Sequence, residues 1–184
     1  MSVEQFTVQP AVSDSIIPLV VLVVAGVVIL LLAIITGRRA KTVRRTFLAL
    51  IIVGIITIVA GVLLFFSSIT PSTITVGSGY VSVQSPSFSG AGNMNITADK
   101  IASAYVSQIG SGNLTLSKQH GTNYDDFNVG IFTLGNGAKA YVVSDNSTDL
   151  IIQLNSGEYV ILGTSNTSVL AADFSQSVYV LKPT

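Results

Sequence analysis

The chain has 184 residues, of which 49% are apolar and only 10% charged, with nine basic residues balancing nine acidic ones. A mean hydropathy of +0.67, in a chain with far fewer than the ~25% charged residues of an ordinary soluble domain, is the composition of a membrane protein. The absence of Cys removes disulfide scaffolds, thiolate metal sites and cysteine nucleophiles, and one His (His120) with no Trp leaves few groups able to do chemistry.

In chain order, residues 1–15 form a short tail carrying Glu4 and Asp14 and no base. Two uncharged apolar runs follow, "IIPLVVLVVAGVVILLLAII" from Ile16 and "FLALIIVGIITIVAGVLLFF" from Phe47. Each predicts a helix of about 30 Å, the thickness of a bilayer's hydrocarbon core. Transmembrane helices are therefore expected over 16–36 and 47–67. The intervening segment 37–46 holds five of the nine basic residues, Arg38, Arg39, Lys41, Arg44 and Arg45. Positive loops stay in the cytoplasm, so these five residues set the topology and place both termini outside. The expected location is a cell membrane crossed twice, with the bilayer as one partner.

Small residues recur seven apart in both runs: Gly26 and Ala33, then Gly54 and Gly61. Two helical turns put each pair on one face, where a neighbouring helix can approach closely. Neither run has an ionisable residue, which argues against a proton or ion pathway.

From Ser67 the composition changes. Residues 71–184 are rich in Ser, Thr, Asn and Gly and carry seven acids against four lysines. "FNVGIFTL" and "KAYVV" are separated by "GNGA", and "DLIIQL" and "YVILG" by "NSGE", the pattern of consecutive β-hairpins. In "DLIIQL", Leu150, Ile152 and Leu154 share one face, with Ile151 on the other. After "TSNTS", the spacing of Leu170, Phe174 and Val178 predicts a closing helix.

The stretch from His120 to Val178 resembles the prokaryotic pleckstrin-homology-like domains that follow membrane spans. The matching residues are Gly130 and Phe132, Tyr141 and Val142, Ile151 and Ile152, then Tyr159, Val160 and Ile161. Over about residues 73 to 180 the resemblance implies a barrel of two packed sheets, about seven strands, plugged by one C-terminal helix. The expected fold is thus a two-helix transmembrane hairpin followed by a mainly-β, pleckstrin-homology-like domain outside the cytoplasm. Phosphoinositide binding is not expected, because Lys100 is the one base between Tyr80 and Ser103. A fold name brings no site with it.

Candidate chemistry is sparse. His120 with Ser117 and Asp125 or Asp126 has no nucleophile elbow around it, and a single His without a spaced partner is a poor metal motif. No catalytic, metal or cofactor site is expected, nor a nucleic-acid partner. Asn95, Asn113, Asn146 and Asn166 each open an N-x-S/T sequon and are candidate glycosylation sites on an exported domain. The expected function is a non-enzymatic accessory subunit bound to other membrane or envelope proteins. The alternative is a free-standing sensor of peptide or glycan, with Tyr80, Tyr105 or Tyr124 lining its cleft.

Overall fold

The computed structural model describes residues 3–9, 12–39, 44–86, 91–110, 114–124 and 126–182, with helix side chains described over 19–35 and 48–63. The chain divides into two compact units, residues 10–70 and residues 1–9 with 71–184.

The first unit consists of α1 (Val12–Arg39) and α2 (Arg44–Ile69). They pack antiparallel: a Cβ on Gly26 would meet Ile58 and the Gly54 carbonyl, one on Gly54 would meet Leu30, and one on Gly61 would meet Leu22. Gly26, Ala33, Gly54 and Gly61 are buried, and large apolar residues between them are exposed. The glycines are therefore occupied by the hairpin's own contact. Any side chain at Gly54 or Gly61 meets the facing Leu at under 3 Å, so one of the two must move. Because the chain has no Cys, the register can be tested cleanly. Leu22→Cys with Gly61→Cys should crosslink on oxidation, since both Cβ positions fall within disulfide reach. Leu22→Cys with Gly54→Cys, two turns out of register, should not.

Among the described residues no helix is long and apolar enough to cross a membrane. This overturns the expectation of a transmembrane hairpin at 16–36 and 47–67. The location derived from it, a two-pass cell-membrane protein with its C-terminal domain outside the cytoplasm, is corrected with it. Of the residues expected to set topology, Arg38, Arg39, Arg44 and Arg45 fall within the helix termini. Lys41 lies outside the described residues.

The second unit is mainly β. β1 (Glu4–Val8), β2 (Ser72–Gly77), β3 (Tyr80–Gln84) and β4 (Met94–Thr97) form an antiparallel sheet in that order. The larger sheet contains β5 (Ile101–Gln108), β6 (Leu116–Tyr124), β7 (Phe127–Leu134), β8 (Lys139–Asp145), β9 (Thr148–Leu154) and β10 (Tyr159–Gly163). Its order is β5-β9-β10-β8-β7-β6. A final helix, α3 (Thr167–Ser177), follows.

A barrel of about seven strands is therefore corrected to two separate sheets of four and six strands. The decisive departure is β10, which pairs antiparallel with β9 and parallel with β8. Strands β8 and β9, though only two residues apart in sequence, are not neighbours in the sheet. Hydrophobic demand explains this. Val160, Ile161 and Leu162 are fully buried on both faces of β10, and a strand apolar on both sides belongs in the middle of a sheet.

Gly137 and Gly157 take positive φ of 82° and 87° in the turns after β7 and β9. That conformation is open to Gly at little cost, and it lets each short turn reverse the chain.

The faces of the larger sheet bury two different cores. Ala104, Val129, Val143, Leu150, Ile152, Val160 and Leu162 pack with Val8, Ile74, Val76, Val81 and Val83 of the smaller sheet and with Leu170 and Phe174 of α3. On the other face Phe132, Leu134, Ala140, Val142, Ile151 and Ile161 gather with half-buried Tyr105 and Tyr159. The alternation in "DLIIQL" thus divides Leu150 and Ile152 from Ile151. β7 serves both cores, with Val129 on one and Phe132 on the other. Facing it, β6 carries a register shift between Lys118 and His120, the kind of irregularity that bends a strand pair.

Candidate functional site

Polar groups that are buried, rather than merely present, mark the part of this molecule that packing alone does not explain. Among the described residues, Ser72, Ser85 and Asn128 are buried elsewhere, and the other four collect where β8 ends, β9 begins and β10 ends. Ser144 and Asp149 are fully buried, Thr164 and Thr167 nearly so. The Asn146–Ser147 link carries the chain from β8 to β9 across the end of β10, whose last residue is Gly163, paired with Ser144.

Four residues fix this arch. The Ser144 hydroxyl donates to Asp149 Oδ1 at 2.5 Å, and its oxygen accepts the Asn146 amide at 3.1 Å. A Cβ on Gly163 would overlap both the Asp149 carboxylate and the Ser144 hydroxyl. Glycine is required here for space, not for φ. Gly163→Ala should therefore force Asp149 and Ser144 apart and lower stability by about 1–3 kcal/mol, the usual cost of overpacking. A urea midpoint unchanged from the parent would show that the arch has room the geometry does not.

The side of the arch is held by α3's leading turn. Asn146 Nδ2 donates to the Thr164 carbonyl at 2.9 Å, and Thr167 Oγ1 donates to the same carbonyl at 2.8 Å while accepting the Thr164 amide at 2.9 Å. On β8, Asp145 Oδ2 accepts the Gln9 amide at 3.4 Å. The second oxygens, Asp145 Oδ1 and Asp149 Oδ2, are buried without a hydrogen-bond partner among the described residues.

This environment raises both acids. Burial pushes the Asp149 carboxyl up from 3.8 to about 7; the Ser144 hydrogen bond opposes the shift, and the charges of Asp145 and Asp126 add to it. Asp145 is raised by burial too, against the amides of Gln9, Ser165 and itself. Loss of hydration disfavours the ionised form, and a neighbouring carboxylate does so again. The arrangement can hold a proton near neutral pH. Among the described residues no three His, Asp or Glu side chains form a group able to hold a metal ion.

The residues singled out from sequence are placed elsewhere. His120 and Ser117 are exposed on β6 and Asp126 is exposed before β7, while Asp125 lies outside the described residues. Tyr80 belongs to the smaller sheet, against Gly77. Tyr105 belongs to the larger one, among the second core, with its hydroxyl raised by burial and by Tyr159. Nothing is described of the Tyr124 side chain.

Of the sequons, Asn95 and Asn166 are exposed and Asn113 lies outside the described residues. Asn146 commits its Nδ2 to Thr164 and its Oδ1 to the Ser147 amide, which leaves its amide nitrogen poorly placed as an acceptor of sugar. Sequence reasoning passed over Asp149 and Gly163. The signal was present: an acid opening a run as apolar as "LII", and a glycine ending "YVIL".

Compared with protein-family models, with curated proteins and with solved structures, the chain has no significant match in any of the three. The resemblance to pleckstrin-homology-like domains accordingly has no counterpart there.

Proposed function

We propose that this chain is a non-enzymatic subunit of a larger protein assembly, docking through its helical hairpin and carrying the β unit as a rigid module. The observation that carries this reading is the outer surface of α1 and α2. Val24, Leu31, Leu32, Ile52, Ile56 and Leu63 are each more than half exposed, and further Val, Ile and Leu residues lie among them. Thr57, the polar residue in the middle of α2, returns its hydroxyl to the Val53 carbonyl at 2.9 Å. No ionisable group interrupts either face between residues 19–35 or 48–63.

Contiguous apolar surface on this scale marks an interaction site, and at about 25 cal/mol per Å² its burial is a large driving force for association. Tyr80 and Tyr105, assigned to a sensor's cleft, stand in different sheets.

Purification of the tagged full chain from its native extract in mild detergent tests the reading. A partner protein recovered in fixed stoichiometry is the expected result. Recovery of the chain alone, or with lipid and no protein, would contradict it.

A further inference from the structure

The orphaned oxygens at the end of β8 and β9 demand a chemical explanation. Asp149 is fully buried, one of its oxygens is bonded to Ser144, and the other faces no donor among the described residues. Asp145, four residues earlier, has the same defect in one oxygen. Two ionised carboxylates so placed repel each other, with one oxygen of each left without a donor among the described residues, and a buried unpaired charge is among the costliest features a fold can carry. Among the described residues no third ligating side chain joins them to hold a metal ion. The smallest species that satisfies the pair is a proton.

What that proton would control follows from the connections of the arch. Asp149 rests on Gly163 and holds Ser144, and Ser144 caps the Asn146 amide. The next residue, Asp145, receives the Gln9 amide just after β1, which is itself the edge strand of the smaller sheet. The charged groups facing Asp149 are Asp145 on β8 and Asp126 before β7, and both are acids, so neither relieves an ionised Asp149.

We propose that the β8–β9 arch is a proton-held latch. With Asp149 neutral the arch lies closed over Gly163 and Asp145 keeps its bond to Gln9. With Asp149 ionised, repulsion from Asp145 lifts the arch, frees the Gln9 amide and loosens β1 at that end. A shift in local proton availability thereby alters the order of the β1 segment without unfolding either core.

Hydrogen exchange on the full chain, corrected for intrinsic rates, tests this. Peptides covering 142–150 and 4–9 should exchange about tenfold faster at pH 8.5 than at pH 6, given the folded value of about 7 and an ordinary 3.8 in the opened arch. Peptides within β7 should remain far slower to exchange than these at both pH values. Asp149→Asn should abolish the difference, and Ser144→Ala, which removes the bond favouring the ionised form, should move it to higher pH. A carbon-13 carboxyl titration of the parent supplies a reading that needs no variant, with a midpoint near 7 for Asp149. A midpoint near the ordinary value, an unchanged exchange rate, or an identical pH response in Asp149→Asn overturns the latch.

Discussion

Replacing Phe174 with Ala should destabilise the protein by roughly 3–5 kcal/mol, the range for removing a fully buried ring whose site cannot collapse. The ring is fully buried in the core shared by both sheets. α3, from which it projects, packs on β2 of one sheet and β9 of the other. Its loss therefore weakens three elements at once. The backbone around it offers little relaxation, because the Phe174 carbonyl accepts both the Val178 and Tyr179 amides, fixing the end of the helix. Equilibrium urea unfolding followed by tyrosine fluorescence checks this. A loss below about 1 kcal/mol, the scale of a surface substitution, would mean that α3 is not part of the core.

The second large effect concerns pH, and its sign is opposite to the common one. Acid usually destabilises proteins because paired carboxylates lose their partners. Here the folded state raises Asp149 from 3.8 to about 7, chiefly by burial. Below pH ~4 the carboxyl is protonated whether the chain is folded or not. Between ~4 and 7 the folded chain holds a proton that the unfolded chain has released, so stability falls as pH rises through this window. Above 7 both forms are ionised and the whole cost is present. About three pK units at 1.36 kcal/mol each sets an upper bound of about 4 kcal/mol. Asp145, also raised, contributes in the same direction. Urea midpoints should therefore be higher at pH 5 than at pH 8. Asp149→Asn, a neutral near-isostere, should flatten the profile and be more stable than the parent at pH 8. A parent whose midpoint rises with pH, or a variant weaker than the parent at pH 8, contradicts this.

How far the sequence led can be judged from particular residues. The turns at "GNGA" and "NSGE" were legible because Gly137 and Gly157 need a backbone conformation that few other residues adopt. The faces of 150–154 and the inward side of α3 were legible because periodicity survives any tertiary arrangement. β1 was not. "EQFTV" has little pattern of its own, and its partner strand β2 lies more than sixty residues on, beyond any local signal.

The position of β10 was hidden for a related reason. Consecutive strands separated by two residues read as a hairpin, whereas here the arch at Asn146–Ser147 leaves a gap that β10 fills. Local turn chemistry cannot distinguish a hairpin from an arch; the burial of both faces of "VIL" decides it. The reading of two membrane spans rested on run length and composition, and it is overturned because among the described residues no helix is long and apolar enough to cross a membrane. The buried acid was invisible because Asp149 looks like any strand-opening polar residue until Gly163 is seen beneath it.

The proposed role as an assembly subunit stands on the exposed apolar surface of α1 and α2, and photo-crosslinking reads that surface directly. A diazirine-bearing residue introduced at Val24, Leu31, Ile56 or Leu63, all exposed, can be activated in native extract without disturbing Gly26, Gly54 or Gly61 at the hairpin's own contact. A discrete protein adduct of constant mass is expected from at least two of the four positions, absent when the label is carried by Lys182 in the β unit. Adducts to lipid alone, or quenching by water at all four positions, would contradict it.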